Sequence, residues 1–261
     1  MTETRSPIKE PPLRTPGQSL DEEIAKLRTG DFSYYVTLIC TMACVIAYEW
    51  ACWITKIRPE PYLLSLGGVG VIGYCIFRIR RLDKRIAQLE LGREGERIVA
   101  EYLDELKKEG SVVFHDIVGS GFNIDHVIVS RHGVVTIETK TRSKIGPETV
   151  TYDGKCITVD HRSPDQHSIV QAKAEAHWLR SMLKESTGKD YPVRPAVVFL
   201  GWFVEGDLGS KASSVWVLNP KMLPGYIGHE PKTVSEEDMR LAAYHLSRYI
   251  RAGERVAARS P

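Results

Sequence analysis

The stretch Asn123-Ile124-Asp125-His126-Val127-Ile128-Val129-Ser130-Arg131-His132-Gly133-Val134-Val135-Thr136-Ile137-Glu138-Thr139-Lys140 holds two Val/Ile-rich runs separated by a short polar break. Extended β-branched runs on either side of a break of that kind specify a hairpin. A two-residue loop at Arg131-His132 sets Asp125 opposite Glu138, whereas a loop at His132-Gly133 sets it opposite Lys140. Both registers put Asp125, Glu138 and Lys140 on one face, because side chains alternate along a strand. Facing residues have Cβ atoms about 4.5 to 5.5 Å apart, and like charges there repel. A divalent cation, a shared proton or the Lys140 ammonium would relieve that repulsion. Hard carboxylate oxygens suit Mg²⁺, which binds through one or two carboxylates and fills its shell with water and phosphate oxygens. Lys140 would then orient or deprotonate an attacking water, or stabilise charge on a phosphate.

Glu-x-Lys alone is a weak pattern, and it recurs at Glu105-Leu106-Lys107 and Glu230-Pro231-Lys232. The first copy lies on a helical stretch, where i and i+2 do not share a face, and the second spans a proline. Only the middle copy sits on a strand with an aspartate across a turn. Upstream, Val99, Tyr102, Leu103 and Leu106 mark a helix ending at Gly110. Glu96, in Gly92-Arg93-Glu94-Gly95-Glu96, falls on its apolar stripe, where a carboxylate needs a partner, and the two glycines permit close backbone approach. Glu94 fits a solvated helix start.

Outward from the hairpin, Ser111–Ile117 forms a further strand and Val150–Asp160 a small hairpin turning at Asp153-Gly154. Ile169, Ala172, Ala176, Leu179 and Leu183 form a helical stripe, Ala196–Trp202 and Ser214–Leu218 are strands, and Ser235 caps a last helix with Asp238 three residues on. This order predicts an α/β domain with a mixed sheet flanked by helices.

Gly92-Arg93-Glu94-Gly95-Glu96, Asn123–Ser130, Gly133–Lys140 and a glutamine opening a helix at Gln171-Ala172 together resemble the nuclease-related domain (NERD) family of the PD-(D/E)XK nuclease superfamily, over roughly Gly92 to Leu183. The resemblance implies a restriction-endonuclease-like core and Mg²⁺- or Mn²⁺-dependent cleavage of DNA phosphodiesters. It implies Glu96 as the helix-borne acid, Asp125 and Glu138 as metal ligands with the Thr139 carbonyl, Lys140 as the catalytic lysine and Gln171 as a polar brace. Ile124 stands where the superfamily name has proline, and Ser168 where a proline usually precedes the glutamine. His126 alternates to the opposite face, Trp178 and Met182 belong to the core, and Arg131, Arg142 and Lys144 lie close enough in sequence to meet phosphates.

The N-terminal third differs in character. Phe32–Thr55 contains one charge, Glu49, near its end, and Pro61–Phe77 contains none. Both runs reach the length of about 17 to 25 residues that spans a bilayer, and Tyr34, Tyr35, Trp50, Trp53 and Tyr62 sit near their ends. A two-helix hairpin over 32–78 (32–55 and 61–77) follows, with residues 1–31 a flexible tail, 86–252 the nuclease-related domain and 253–261 a second tail. Arg78, Arg80, Arg81, Lys84 and Arg85 follow the second run, against Lys56 and Arg58 between the two, so both termini and the domain are expected on the cytoplasmic side of the membrane. Gly67, Gly70 and Gly73 recur on one face, suited to packing against the first helix or to oligomerisation.

Residues 1–85 hold 12 Lys and Arg against 9 Asp and Glu, and residues 86–261 hold 23 against 24. The soluble part therefore lacks a basic footprint, and any nucleic-acid role rests on its site. That neutrality keeps a tethered, non-enzymatic DNA-binding or scaffold protein as the alternative to a nuclease. Two helices alone make a transporter a weak third reading. Cys40, Cys44, Cys52, Cys75 and Cys156 form no CxxC pair, which disfavours zinc or a disulfide framework, and they are expected as small buried residues.

Overall fold

The computed structural model describes residues 12–57, 61–119, 121–142, 149–160, 163–206 and 213–258. The described residues form two compact units, one within residues 20–91 and one joining residues 12–19 to those from Gly92 onward. In chain order the first helices are α1 (Gln18–Lys26), a π-helical stretch at Leu27–Phe32, α2 (Ser33–Ile54) and α3 (Tyr62–Lys108). Both α2 and the first part of α3 are long and apolar enough to cross a membrane, with a mean hydropathy of 1.6 in each window. Their apolar side chains are largely exposed, among them Leu63, Leu66 and Val69, an arrangement that water does not favour over so contiguous a surface.

Within this unit the helices approach at Gly68, where a Cβ would stand 2.7 Å from Ile46 Cδ1. The Gly67, Gly70 and Gly73 face, expected against the first helix, instead meets nothing within 4 Å. One residue of offset rotates a helical position by about 100°, so Gly68 faces the neighbour and the regular stripe does not. Trp50 Nε1 donates to Ser65 Oγ at 2.8 Å across the hairpin. Cys40 and Cys44, expected buried, are exposed on α2, while Cys52 and Cys75 are buried.

The expected gap between the second apolar run and the next helix closes into one 47-residue helix. Nothing between Arg78 and Gly92 breaks it, since the intervening residues are mainly good helix formers without proline. The expected tail of residues 1–31 is likewise structured from residue 12 onward, and the C-terminal tail expected at 253–261 is helical as far as Ala257.

The larger unit continues with β1 (Val112–Val118), β2 (Asn123–Ser130), β3 (Gly133–Lys140), β4 (Thr149–Tyr152), β5 (Ile157–Val159), β6 (Ser163–Asp165), α4 (His167–Thr187), β7 (Val193–Phe199), β8 (Phe203–Gly206), β9 (Trp216–Leu218), α5 (Leu223–His229) and α6 (Glu236–Ala257). The main sheet has the order β1-β2-β3-β7-β9. Its first pairs are antiparallel, while β3–β7 and β7–β9 are parallel. A parallel pair needs a crossover, and between β3 and β7 that connection contains α4. A second sheet runs β6-β5-β4-β8.

Both faces of the main sheet are covered. Val99, Leu103 and Leu106 of α3 pack on Val113, Ile128, Val135 and Ile137, each fully buried leucine contributing about 1.5 to 3 kcal/mol. On the opposite face, Leu179 and Leu183 of α4 and Ala242, Leu246 and Ile250 of α6 enclose Phe114, Val127 and Val129. The start of α4 packs Ile169 and Ala172 among Val150, Ile157 and Phe199, fastening the small sheet. Ser235 caps α6 as its sequence promised, its hydroxyl accepting from the Asp238 N–H at 3.0 Å.

Candidate active site

β2 and β3 pair from His126–Ile137 to Ser130–Gly133, which fixes the turn at Arg131-His132. Continued one step, that register brings Asp125 to Glu138. The regular ladder stops at His126–Ile137, and the Thr139 N–H donates to Asp125 Oδ2 at 2.6 Å. Alternation places Asp125 with Val127 and Val129, and Glu138 and Lys140 with Val134, on the face that α4 covers. Lys140 Nζ donates to Glu138 Oε1 at 2.7 Å. The three strand residues are thus drawn together, with Glu138 and Lys140 in direct contact and Asp125 held through the intervening Thr139.

Gln171 does not open α4, which begins at His167; the Asp165 carboxylate takes the Ser168 N–H at 3.0 Å and the Ser168 hydroxyl at 2.8 Å. Ser168, standing where the family usually has proline, is thus held at the helix start by the Asp165 carboxylate. One turn on, Gln171 Nε2 donates to Glu175 Oε1 at 2.9 Å. Glu175 is 2% exposed and lies against Glu138. Oε2 of both Glu138 and Glu175 is buried with no donor among the described residues. Glu175 was passed over in the sequence although a signal was present. It falls three residues after Ala172 and four before Leu179, on the apolar stripe, the same placement that singled out Glu96.

Glu96 is buried on α3 and takes a hydrogen bond from the Gly17 backbone N–H. Its neighbour Gly95 lets α3 approach the end of β3, since a Cβ there would stand 1.7 Å from Thr141 Oγ1. Burial pushes the Glu96 carboxyl up to about 8, and the charges of Asp116 and Glu138 add to this. Burial likewise raises Glu175 to about 8, with Glu138 next in effect. Asp125 is raised well above the usual carboxylate range by burial, then by Glu138 and Glu96. Four acids converging in a poorly solvated place favour protons or a cation.

Other expected residues fall elsewhere. Arg131 occupies the hairpin turn, which at about 3.3 Å per residue lies about 20 Å along the strand from Asp125. Arg142 is engaged by Asp165 at 2.5 Å, and Lys144 lies outside the described residues. His126 is fully buried, with Nδ1 2.9 Å from His115 Nδ1. Trp178 packs edge-on between Phe122 and Tyr249, in the core as expected.

No group of three or more His, Cys, Asp and Glu among the described residues is arranged to hold a metal ion unaided. Mg²⁺ requires no such cage, because it retains several waters. The orphaned Oε2 of Glu138 and the carboxylate of Asp125 are the hard oxygens such an ion takes, so the residues present fit it.

A mixed sheet with an Asp and a Glu-x-Lys on adjoining strands, an acid on the preceding helix and a glutamine on the crossover helix is the arrangement that the resemblance to the PD-(D/E)XK nucleases implies. Residues 91–200, C-terminal to the two apolar helices, match the family model described as Nuclease-related domain, NERD. No curated protein and no solved structure is found to match.

Proposed function

We propose that this chain is a membrane-anchored, Mg²⁺-dependent nuclease that hydrolyses DNA phosphodiester bonds on the cytoplasmic side. The observation that carries the reading is the convergence of Asp125, Glu138 and Lys140 at the end of β3, with unsatisfied buried carboxylate oxygen beside an ammonium. Asp125, Glu138 and the Thr139 carbonyl would hold the ion. When bound, the ion supplies charge neutralisation and a more acidic water. Lys140 places its ammonium where negative charge grows on the phosphate as water adds and a P–O bond breaks. Thr139 fixes the Asp125 rotamer through its N–H, and Gln171 reaches Glu138 by way of Glu175. The apolar helices would hold the domain at a bilayer, both termini on one side, as the arginines after the second run favour. The open Gly67, Gly70 and Gly73 face is available to a second copy.

Full-length chain purified in detergent should nick plasmid DNA with Mg²⁺ or Mn²⁺ and not with EDTA. Glu138→Ala and Lys140→Ala should each lower the rate by at least about 10²-fold with an unchanged circular dichroism spectrum. Binding without cleavage in the wild type would establish a tethered DNA-binding protein instead. Neither binding nor cleavage would end both nucleic-acid readings. A reporter after Pro261 found outside the cytoplasm would reverse the orientation.

A further inference from the structure

Residues 12–19 precede the first apolar helix by sequence, yet they belong to the compact unit of the α/β domain. Arg14 is 8% exposed, and its guanidinium bonds Asp116 at 2.8 Å, Ser19 Oγ at 3.1 Å and the Glu254 carboxylate of α6. Asp116 is 2% exposed within β1 and adopts a left-handed φ of 51°, interrupting the ladder between the His115–His126 and Ile117–Ile124 pairs. Few residues but glycine take that conformation without cost. The carboxylate so displaced accepts the Ser19 N–H at 2.7 Å and the Ser19 hydroxyl. An arginine surrenders considerable side-chain freedom when it is buried, so this many partners mark a specific seat.

The seat brings Gly17 over the part of α3 that carries Glu96. Gly17 has a φ of 72°, and a Cβ there would stand 2.8 Å from Arg93 Cγ and 3.4 Å from the Arg93 backbone. Both the conformation and the space call for glycine. From that position the Gly17 N–H donates to the Glu96 carboxylate. The same carboxylate faces the charges of Asp116 and Glu138, and Arg14 offsets the first of these.

We propose that Arg14–Ser19 is a strap that positions Glu96 through the Gly17 N–H, so that the segment ahead of the first apolar helix completes the active centre. Gly17, Arg14 and Asp116 are positioning residues; none is placed to touch a substrate. The inference rests on the nuclease reading for its kinetic consequence and on the strap contacts for its structural one.

The test uses the full-length chain in detergent. Gly17→Ala leaves every ion pair in place but cannot keep the turn against Arg93. The double variant Arg14→Ala/Asp116→Asn releases the strap without stranding the buried Asp116 carboxylate, and leaves Glu254, the other acid that Arg14 pairs with, to the solvent it partly meets. Each should lower kcat for DNA cleavage by about tenfold or more, as misplacement of a reacting group does, while KM for DNA stays constant. A purely structural fastening would lower the melting temperature and leave kcat per folded molecule unchanged, and that result overturns the proposal. Hydrogen exchange gives a readout independent of activity. The Gly17 and Ser19 amides should exchange slowly in the wild type and rapidly in the double variant, and rapid exchange in the wild type also overturns the strap. A wild-type chain that fails to cleave DNA but keeps these amides protected would sink the nuclease reading and leave the docked strap standing.

Discussion

Gly95 and Glu96 illustrate how closely single positions are constrained around the site. A methyl group at Gly95 would overlap Thr141, which directly follows Lys140 by one residue. Gly95→Ala should therefore cost about 1 to 3 kcal/mol as an overpacked contact, seen as a lower melting temperature, and should depress cleavage because α3 must retreat from β3. An unchanged melting temperature would show that the approach is looser than described. At this scale the sequence was legible wherever a period exposed an anomaly. Asp125, Glu138 and Lys140 followed from alternation along two strands, and Glu96 from its place on an apolar stripe. Arg14 was not legible, because its partner Asp116 lies 102 residues away and its own surroundings are polar and aperiodic. Glycine spacing misled at Gly67, Gly70 and Gly73, since a regular repeat does not say which rotation faces the neighbour.

Among elements, the β2–β3 hairpin was readable up to its register, which the sequence left open between turns at Arg131-His132 and His132-Gly133, and α4 to its apolar stripe, because both have strong periodic signals. The boundary between the second apolar run and the helix of Glu96 was not, because a charged but helix-favouring stretch joins them without a break. The β1–β2 pair also holds a titratable element in His115 and His126, whose rings meet edge-on at 5.1 Å. Burial pushes His115 down to about 4, Lys107 adding to it, and pushes His126 well below its ordinary value, with His115 next in effect. Unfolding releases both rings to a value near 6.5. Between about pH 6.5 and 4 the unfolded chain takes up protons that the folded one does not, so stability falls as pH falls. Replacing both histidines with glutamine should flatten that slope in urea midpoints measured across the interval. A variant whose midpoints track the wild type would exclude the pair as the cause.

For the whole molecule the acid cluster acts in the opposite sense. Glu96 and Glu175 keep protons up to about pH 8 in the folded chain, whereas unfolded glutamate releases them near 4.3. Without metal, their contribution to stability is therefore present at low pH and is lost as pH rises towards 8. Mg²⁺ should offset that loss, raising the melting temperature more at pH 8 than at pH 5, while EDTA removes the difference. An equal effect of Mg²⁺ at both values would argue against an ion at these carboxylates. The near-neutral charge of residues 86–261 is consistent with affinity concentrated at this one place rather than spread over a basic surface.

The position of residues 12–19 bears on how such a protein can be dissected. A fragment begun after the second apolar run would retain Glu96, Asp125, Glu138 and Glu175 and gain solubility. It would also arrive without the amide that Glu96 leans on, with Asp116 stripped of its cation. Solubility and completeness are therefore at odds in this chain, and a silent truncation would report a missing leader before it reported a missing activity.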